Sequence, residues 1–432
     1  MLPYLEIARA LEAVSREERR GAKAERLAAL IKPLPAEMLR PTVRLISGRP
    51  WPPWEPRELG IGPETLDAVL EEISGRVPSS EERAADPGDR AERMVRGRSQ
   101  RTLAPSTMDS LHVYESLRQI SAQRGPGSLS RRRAILKGLL LAASPLEAKY
   151  LARAVLGRTT AGLGPSLISA AIGKAFDVDY SLVKRAYSYL PDLGMVALNA
   201  RQGDIYDMRL APSNPARMMS FRRVKDPREL MAGGGPRAYV VRYGGLRVQV
   251  HKFNDRVYIY TSQLRNVTRP LRDLAEEVAM AGGEFVMEGE LILVRGGRIS
   301  PRSETVGRIN LRGRSRGGAM PSLAASDLLY LNGGDLLQRG YEERRGLLAK
   351  ALKGVEGRPL SSRIFLAEEE VIGDGQRAEE FLRRSLDRGF GGAWIRDLDG
   401  LYIPGEMSSG DAEVSRFPAE GNSSSQDQEP HR

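Results

Sequence analysis

The chain contains no cysteine, and only three of its 432 residues are histidine: His112, His251 and His431. Disulfides, a zinc knuckle and a thiol nucleophile are thereby excluded, and the histidines stand too far apart for a local metal site. No run of about eighteen apolar residues occurs, and Met1-Leu2-Pro3-Tyr4-Leu5 lacks the basic-then-apolar order of a secretory leader. The expectation is a cytoplasmic protein with no membrane partner. Lysine is scarce as well, since most of the 66 basic residues are arginine. Chemistry, if any, must rest on a few lysines, on carboxylates or on a bound cation.

Positive charge is abundant: 66 basic against 55 acidic residues give a net charge of +11. Codon bias toward arginine accounts for the ratio of arginine to lysine but not for the net excess, which favours a polyanionic partner. The length exceeds one ordinary core, and a hydrophobic content of 41% is enough to pack two or three domains.

Residues 1–205 read as helical. Leu146, Tyr150, Leu151, Ala154 and Val155 recur at helical spacing behind Ser144-Pro145, a cap followed by a first-turn proline. The polar stretches 76–98 and 123–130 read as loops. Near residue 206 the character changes. Tyr239–Tyr243, Leu246–Lys252 and Arg256–Thr261 are short and rich in Val, Ile and Tyr, and Gly244-Gly245 and Asn254-Asp255 separate them, which predicts an antiparallel meander. Strands are further expected at 285–294 and 327–331, and helices at 269–281, 341–352 and 376–389. From 406 to 432 the sequence is polar and predicts a disordered tail.

Two loops open helices in a way that suits phosphate: Ser128 to Arg133, and Gly157 to Gly164. Backbone N–H groups, hydroxyls and guanidiniums converge at such places, although ordinary capped loops with solvated arginines look the same.

The run Glu147-Ala148-Lys149-Tyr150-Leu151-Ala152-Arg153-Ala154-Val155-Leu156-Gly157 resembles the signature of the N-terminal DNA-binding domain of archaeal-type ATP-dependent DNA ligases. Arg57–Gly62 and Gly127–Arg131 are similar to other parts of that domain, and the likeness extends to about residue 405. The resemblance implies a multi-domain fold: an all-α DNA-binding domain over 1–205, then an α+β nucleotidyltransferase (adenylation-like) domain over 206–405. The family's C-terminal OB-fold is expected to be absent. Double-stranded DNA is the implied partner, with phosphate contacts carried over to Ser128, Ser130, Arg131, Arg132, Arg158, Thr159, Thr160 and Gly162. The expected location is then the nucleoid, with a true ligase or a sliding clamp as a further partner.

In the family, a lysine in a Lys-x-Asp-Gly turn attacks the α-phosphate of ATP. The matching stretch here is Arg242-Tyr243-Gly244-Gly245-Leu246-Arg247, so the nucleophile position holds Arg242. A guanidinium with a pKa above about 12 is neutral in roughly one molecule in 10⁵ at pH 7, equivalent to about 7 kcal/mol before any chemistry begins. The Glu expected to touch adenine is Val240, the turn Asp is Gly244, the Phe that stacks on the base is Arg302, and a phosphate-binding Lys is Arg396. Arg247 and Glu290 match. Glu290 is the one carboxylate in place for a metal, and one makes a poor Mg²⁺ site. The strand expected after Tyr402-Ile403-Pro404-Gly405, Trp-Leu-Lys-x-Lys in the family, is read as absent. The implied protein is ligase-like: it binds duplex DNA, has no catalytic residue and holds no cofactor. ATP and Mg²⁺ enter only where family activity persists. The alternatives are an active ligase with an unusual nucleophile or a partner-supplied domain, and a chain with no DNA role.

Overall fold

A computed structural model describes residues 2–55, 57–98, 108–158, 163–310 and 318–415. Among these, helices from Tyr4–Arg16 to Leu193–Gln202 build the first half around one apolar core that extends from Tyr4 to Ile205. The first helix shows why. It buries Tyr4, Ile7, Ala8, Leu11 and Val14, one stripe at helical period. Ser144 caps Pro145–Val155 in a capping box with Glu147, and Pro145 occupies the first turn.

The stretch 76–98 is not a loop. It holds the helices Ser80–Ala84 and Pro87–Arg96, started by a capping box between Ser79 and Glu82 and by Asp86, which accepts from the Gly88 and Asp89 N–H groups. Buried Arg90 ties the second of these to Asp67 at 2.9 Å. The helix expected to open near Arg131 starts at Ser128, directly after Gly127 in the left-handed region.

The second half is two packed sheets. Its strands are β1 (Ser220–Arg223), β2 (Arg237–Arg242), β3 (Leu246–Phe253), β4 (Arg256–Thr261), β5 (Phe285–Arg295), β6 (Arg298–Ile299), β7 (Met320–Leu331), β8 (Gly334–Asp335), β9 (Ile364–Leu366), β10 (Glu369–Ile372), β11 (Gly392–Asp397) and β12 (Met407–Ser415). One sheet has the order β1-β12-β11-β2-β10, the other β4-β3-β5-β7-β8, with β6 on β5 and β9 on β7. The predicted meander is β2, β3 and β4. Its second turn places Asn254 and Asp255 both at positive φ, which the right-handed twist of a tight hairpin favours. Unlike the prediction, β2 and β3 lie in different sheets: Gly244 and Gly245 carry the chain across. A Cβ at Gly245 would lie 2.3 Å from the Leu291 carbonyl oxygen, so only glycine permits this crossing.

β12 overturns the expectation of a disordered tail from residue 406. Ala412 and Val414 are buried in the core, and hydrogen bonding to β11 and β1 on its two sides satisfies the strand's backbone. Residues 416–432 lie outside the described part. The two halves meet where Trp54 packs on Tyr260 and Leu264, beside Leu190. Among the described residues no helix is long and apolar enough to cross a membrane.

Candidate functional site

Charged groups are buried where the two sheets pack together: Arg242, Glu288, Glu290, Asp327, Arg396 and Asp411. On β2 the pleat points Tyr239 and Tyr243 toward Phe381 and Phe390, which leaves Val240 and Arg242 on the opposite face. Val240 sits in register between Trp394 of β11 and Glu369 of β10, with no polar group to offer a base. Arg242 is 6% exposed. Its guanidinium donates to the Ser415 hydroxyl and lies 3.8 Å from Glu413, both on β12, while its Nε has no hydrogen-bond partner among the described residues. Gly392 makes that reach possible. It stands between Arg242 and Ser415 in the cross-strand row, and its lack of a side chain lets the guanidinium pass over β11.

Arg247 on β3 donates to Glu288 at 2.8 Å and to the Met219 carbonyl at 2.8 Å, with Phe221 under its guanidinium at 4.9 Å. Burial works against its charge, but Glu288 and Tyr402 together overcome it and the pKa rises. Glu288 also accepts from Gln249 at 3.0 Å and from the Tyr402 hydroxyl. Glu290 accepts the Tyr243 backbone N–H at 2.5 Å. Glu288 is thus engaged within its own sheet and by Tyr402, and Glu290 ties β5 to the chain just past β2 of the other sheet.

Arg396 on β11 donates to Asp327 at 2.9 Å, and its Nε lies 3.2 Å from Asp411 of β12. The Tyr341 ring centroid is 4.3 Å away. Burial opposes the charge of Arg396, but Asp411 and Asp327 overcome it and raise the pKa further. Asp327 shows the converse: burial would raise its pKa, and Arg344 and Arg396 bring it below the ordinary value.

Val240, Arg242, Arg247, Glu290 and Arg396 lie on the neighbouring strands β2, β3, β5 and β11. Arg302 does not join them; it is exposed at the start of the helix Arg302–Asn310. Lys252, a few residues along β3, is buried and donates to the Ala281 carbonyl, away from the cleft charges. Among the described residues no group of three His, Asp or Glu side chains is arranged to hold a metal. The reading of the sequence missed Asp411, Glu413 and Ser415. Their signal was the alternation with Ala412 and Val414, polar on one face and apolar on the other.

On the helical half, Ser128 is the first residue of Ser128–Ala142, Ser130 is exposed one turn in, and Arg158 is exposed just past Pro145–Val155. Arg131 donates to the carbonyls of Arg124 and Pro126, at 2.8 and 3.1 Å, and to Gln123 at 2.8 Å. Arg132 donates to the Gln123 carbonyl at 2.8 Å. The first cationic cluster therefore also clamps its own loop. Thr159, Thr160 and Gly162 lie outside the described residues.

Residues 3–173 match the family model "DNA ligase N terminus", and residues 219–410 match "ATP dependent DNA ligase domain". A DNA ligase of Thermococcus fumicolans is 32% identical over 420 residues, 94% of this chain and 74% of the relative. A DNA ligase of Methanopyrus kandleri is 30% identical over 418 residues, covering 93% and 74%. The solved structure Pmar-Lig_PreS3 is 12% identical and superposes with a TM-score of 0.56 over 95% of this chain and 78% of its own, a likeness of fold alone.

Proposed function

The chain belongs to the ATP-dependent DNA ligase family, and from that premise we propose that it binds duplex DNA, nicked duplex included, without forming an AMP adduct. The observation that carries the second half is Arg242. It stands at the nucleophile position, buried between strands and bound to Ser415 with Glu413 beside it. A guanidinium has no free lone pair to give phosphorus. The other family contacts fail in the same place. Val240 offers no acceptor to a base, and Arg396 is spent on Asp327 and Asp411. DNA binding is supported by the net charge of +11, by the match of the helical half to the ligase N terminus and by its exposed Ser130 and Arg158.

Two assays on the purified chain test this reading. Incubation with α-labelled ATP and Mg²⁺ leaves the polypeptide unlabelled. Gel shifts on nicked and intact duplex show binding that weakens with salt, at a slope of about −0.9 per phosphate neutralised. A covalent label would falsify the second half, and the absence of any shift at low salt the first.

A further inference from the structure

Glu413 is an anion held between two arginines. Its Oε1 accepts from Arg223 Nε of β1 at 2.7 Å, and its Oε2 lies 3.8 Å from Arg242 Nη1 of β2. The two guanidiniums come from different strands and approach one carboxylate from either side. Arg223 is 39% exposed and Arg242 7%, so the clamp leads inward from the surface. Arg242 Nε is buried and has no hydrogen-bond partner among the described residues.

We infer that Glu413 fills a two-arginine oxyanion site, so that β12 supplies from within the chain the negative charge that a phosphate would bring from outside. The inference rests on the reading of a cleft that transfers no AMP and extends it from reaction to binding. Guanidinium forks match carboxylate and phosphate alike, so one can replace the other without rebuilding the clamp. Further in, Asp411 repeats the arrangement beside Arg396. Asp411, Glu413 and Ser415 alternate with the core residues Ala412 and Val414, so they share one face of the strand. The closure is built into the register. A side chain at Gly392 would meet the Val414 carbonyl at 2.1 Å, so only glycine lets β12 lie this close to β11 opposite Arg242.

A phosphate entering this cleft must displace Glu413 or share the clamp with it, and like charges a few ångströms apart repel strongly where water is scarce. The intact protein therefore binds free polyphosphate poorly. Vacating the clamp uncovers a phosphate site.

The probe is inorganic pyrophosphate, with sodium chloride matched for ionic strength, and the readout is the thermal midpoint of the full chain. The wild-type midpoint does not respond. Glu413→Ala responds, with an apparent affinity at least about tenfold above wild type, and adding Arg223→Glu removes the response. Glu413→Gln, which keeps the bulk but not the charge, responds less than Ala. A wild type that responds as strongly as Glu413→Ala overturns the inference, as does a folded Glu413→Ala that gains nothing. If Glu413→Ala does not fold, pyrophosphate or ATP binding by the wild type decides alone, since tight binding contradicts a filled site and its absence supports one. Each of these results leaves the labelling and gel-shift outcomes untouched, so the two readings fail separately.

Discussion

Asp327 of β7 accepts a hydrogen bond from Arg396 of β11 at 2.9 Å, and this pair, 1% and 4% exposed, joins the two sheets. Arg344 reaches the same carboxylate at 2.8 Å from the helix Tyr341–Ala351. One carboxylate thus serves two buried guanidiniums. Asp327→Asn leaves Arg344 facing a neutral partner in a dry interior and Arg396 with Asp411 as its remaining carboxylate, and the expected loss is about 3–5 kcal/mol, read by urea unfolding at pH 7. A loss below about 1 kcal/mol would show that water reaches the pair.

Much of this fold was legible because its signals are local. The capping box at Ser144 and Glu147 and the Asn254-Asp255 turn lie within a few residues of the elements they set. The helices in 76–98 carried equally local signals, Ser79 with Glu82 and Asp86 before Pro87, and a short stripe of Ala91, Met94 and Val95 that the surrounding charges and prolines obscured. β12 was hidden for a different reason. Met407–Ser415 has one β-branched aliphatic residue, and it becomes a strand because β1 and β11 flank it. Tertiary pairing there overrides propensity. Among the site residues, Arg242 was legible from its motif, but what it touches was not, since Ser415 lies 173 positions away.

Arg242→Lys alone does not restore AMP transfer. A lysine there meets the same Glu413 and Ser415, which favour its charged form, while Val240 and the occupied Arg396 still offer a nucleotide nothing to hold. Labelling with α-labelled ATP stays at background. A labelled adduct from this single change would mean that the nucleophile was the only deficiency.

His251 gives the protein a pH limit on the acid side. It is fully buried, with Nδ1 2.9 Å from the Pro212 carbonyl and Nε2 3.2 Å from Gln249. Burial lowers its pKa from 6.5 to about 4, the Pro212 contact offsetting only part of that. The depressed value means that the unfolded chain takes up a proton first as pH falls. Stability is therefore full above about 6.5 and is lost between there and about 4, by an amount on the order of 3 kcal/mol. His251→Gln flattens this part of the stability curve relative to wild type. Parallel curves for the two proteins would assign the acid sensitivity elsewhere.

Arg158 is the cleanest probe of DNA contact on the helical half. Charge reversal of Arg131 breaks three hydrogen bonds within its own loop, and Arg132 packs on Gly60, where a Cβ would sit 1.9 Å from its Nη1. Weakened binding in either variant mixes lost charge with a disturbed loop. Among the described residues Arg158 makes no ion pair, and it is exposed just past the end of its helix, so Arg158→Glu changes the surface charge and leaves the packing alone. We expect Arg158→Glu to weaken binding to nicked and intact duplex alike and to reduce the salt slope by about one. Arg242→Ala, buried in the other half, should leave the gel shift unchanged. If Arg242→Ala abolished binding while Arg158→Glu did not, the DNA face would belong to the sheets and not to the helices.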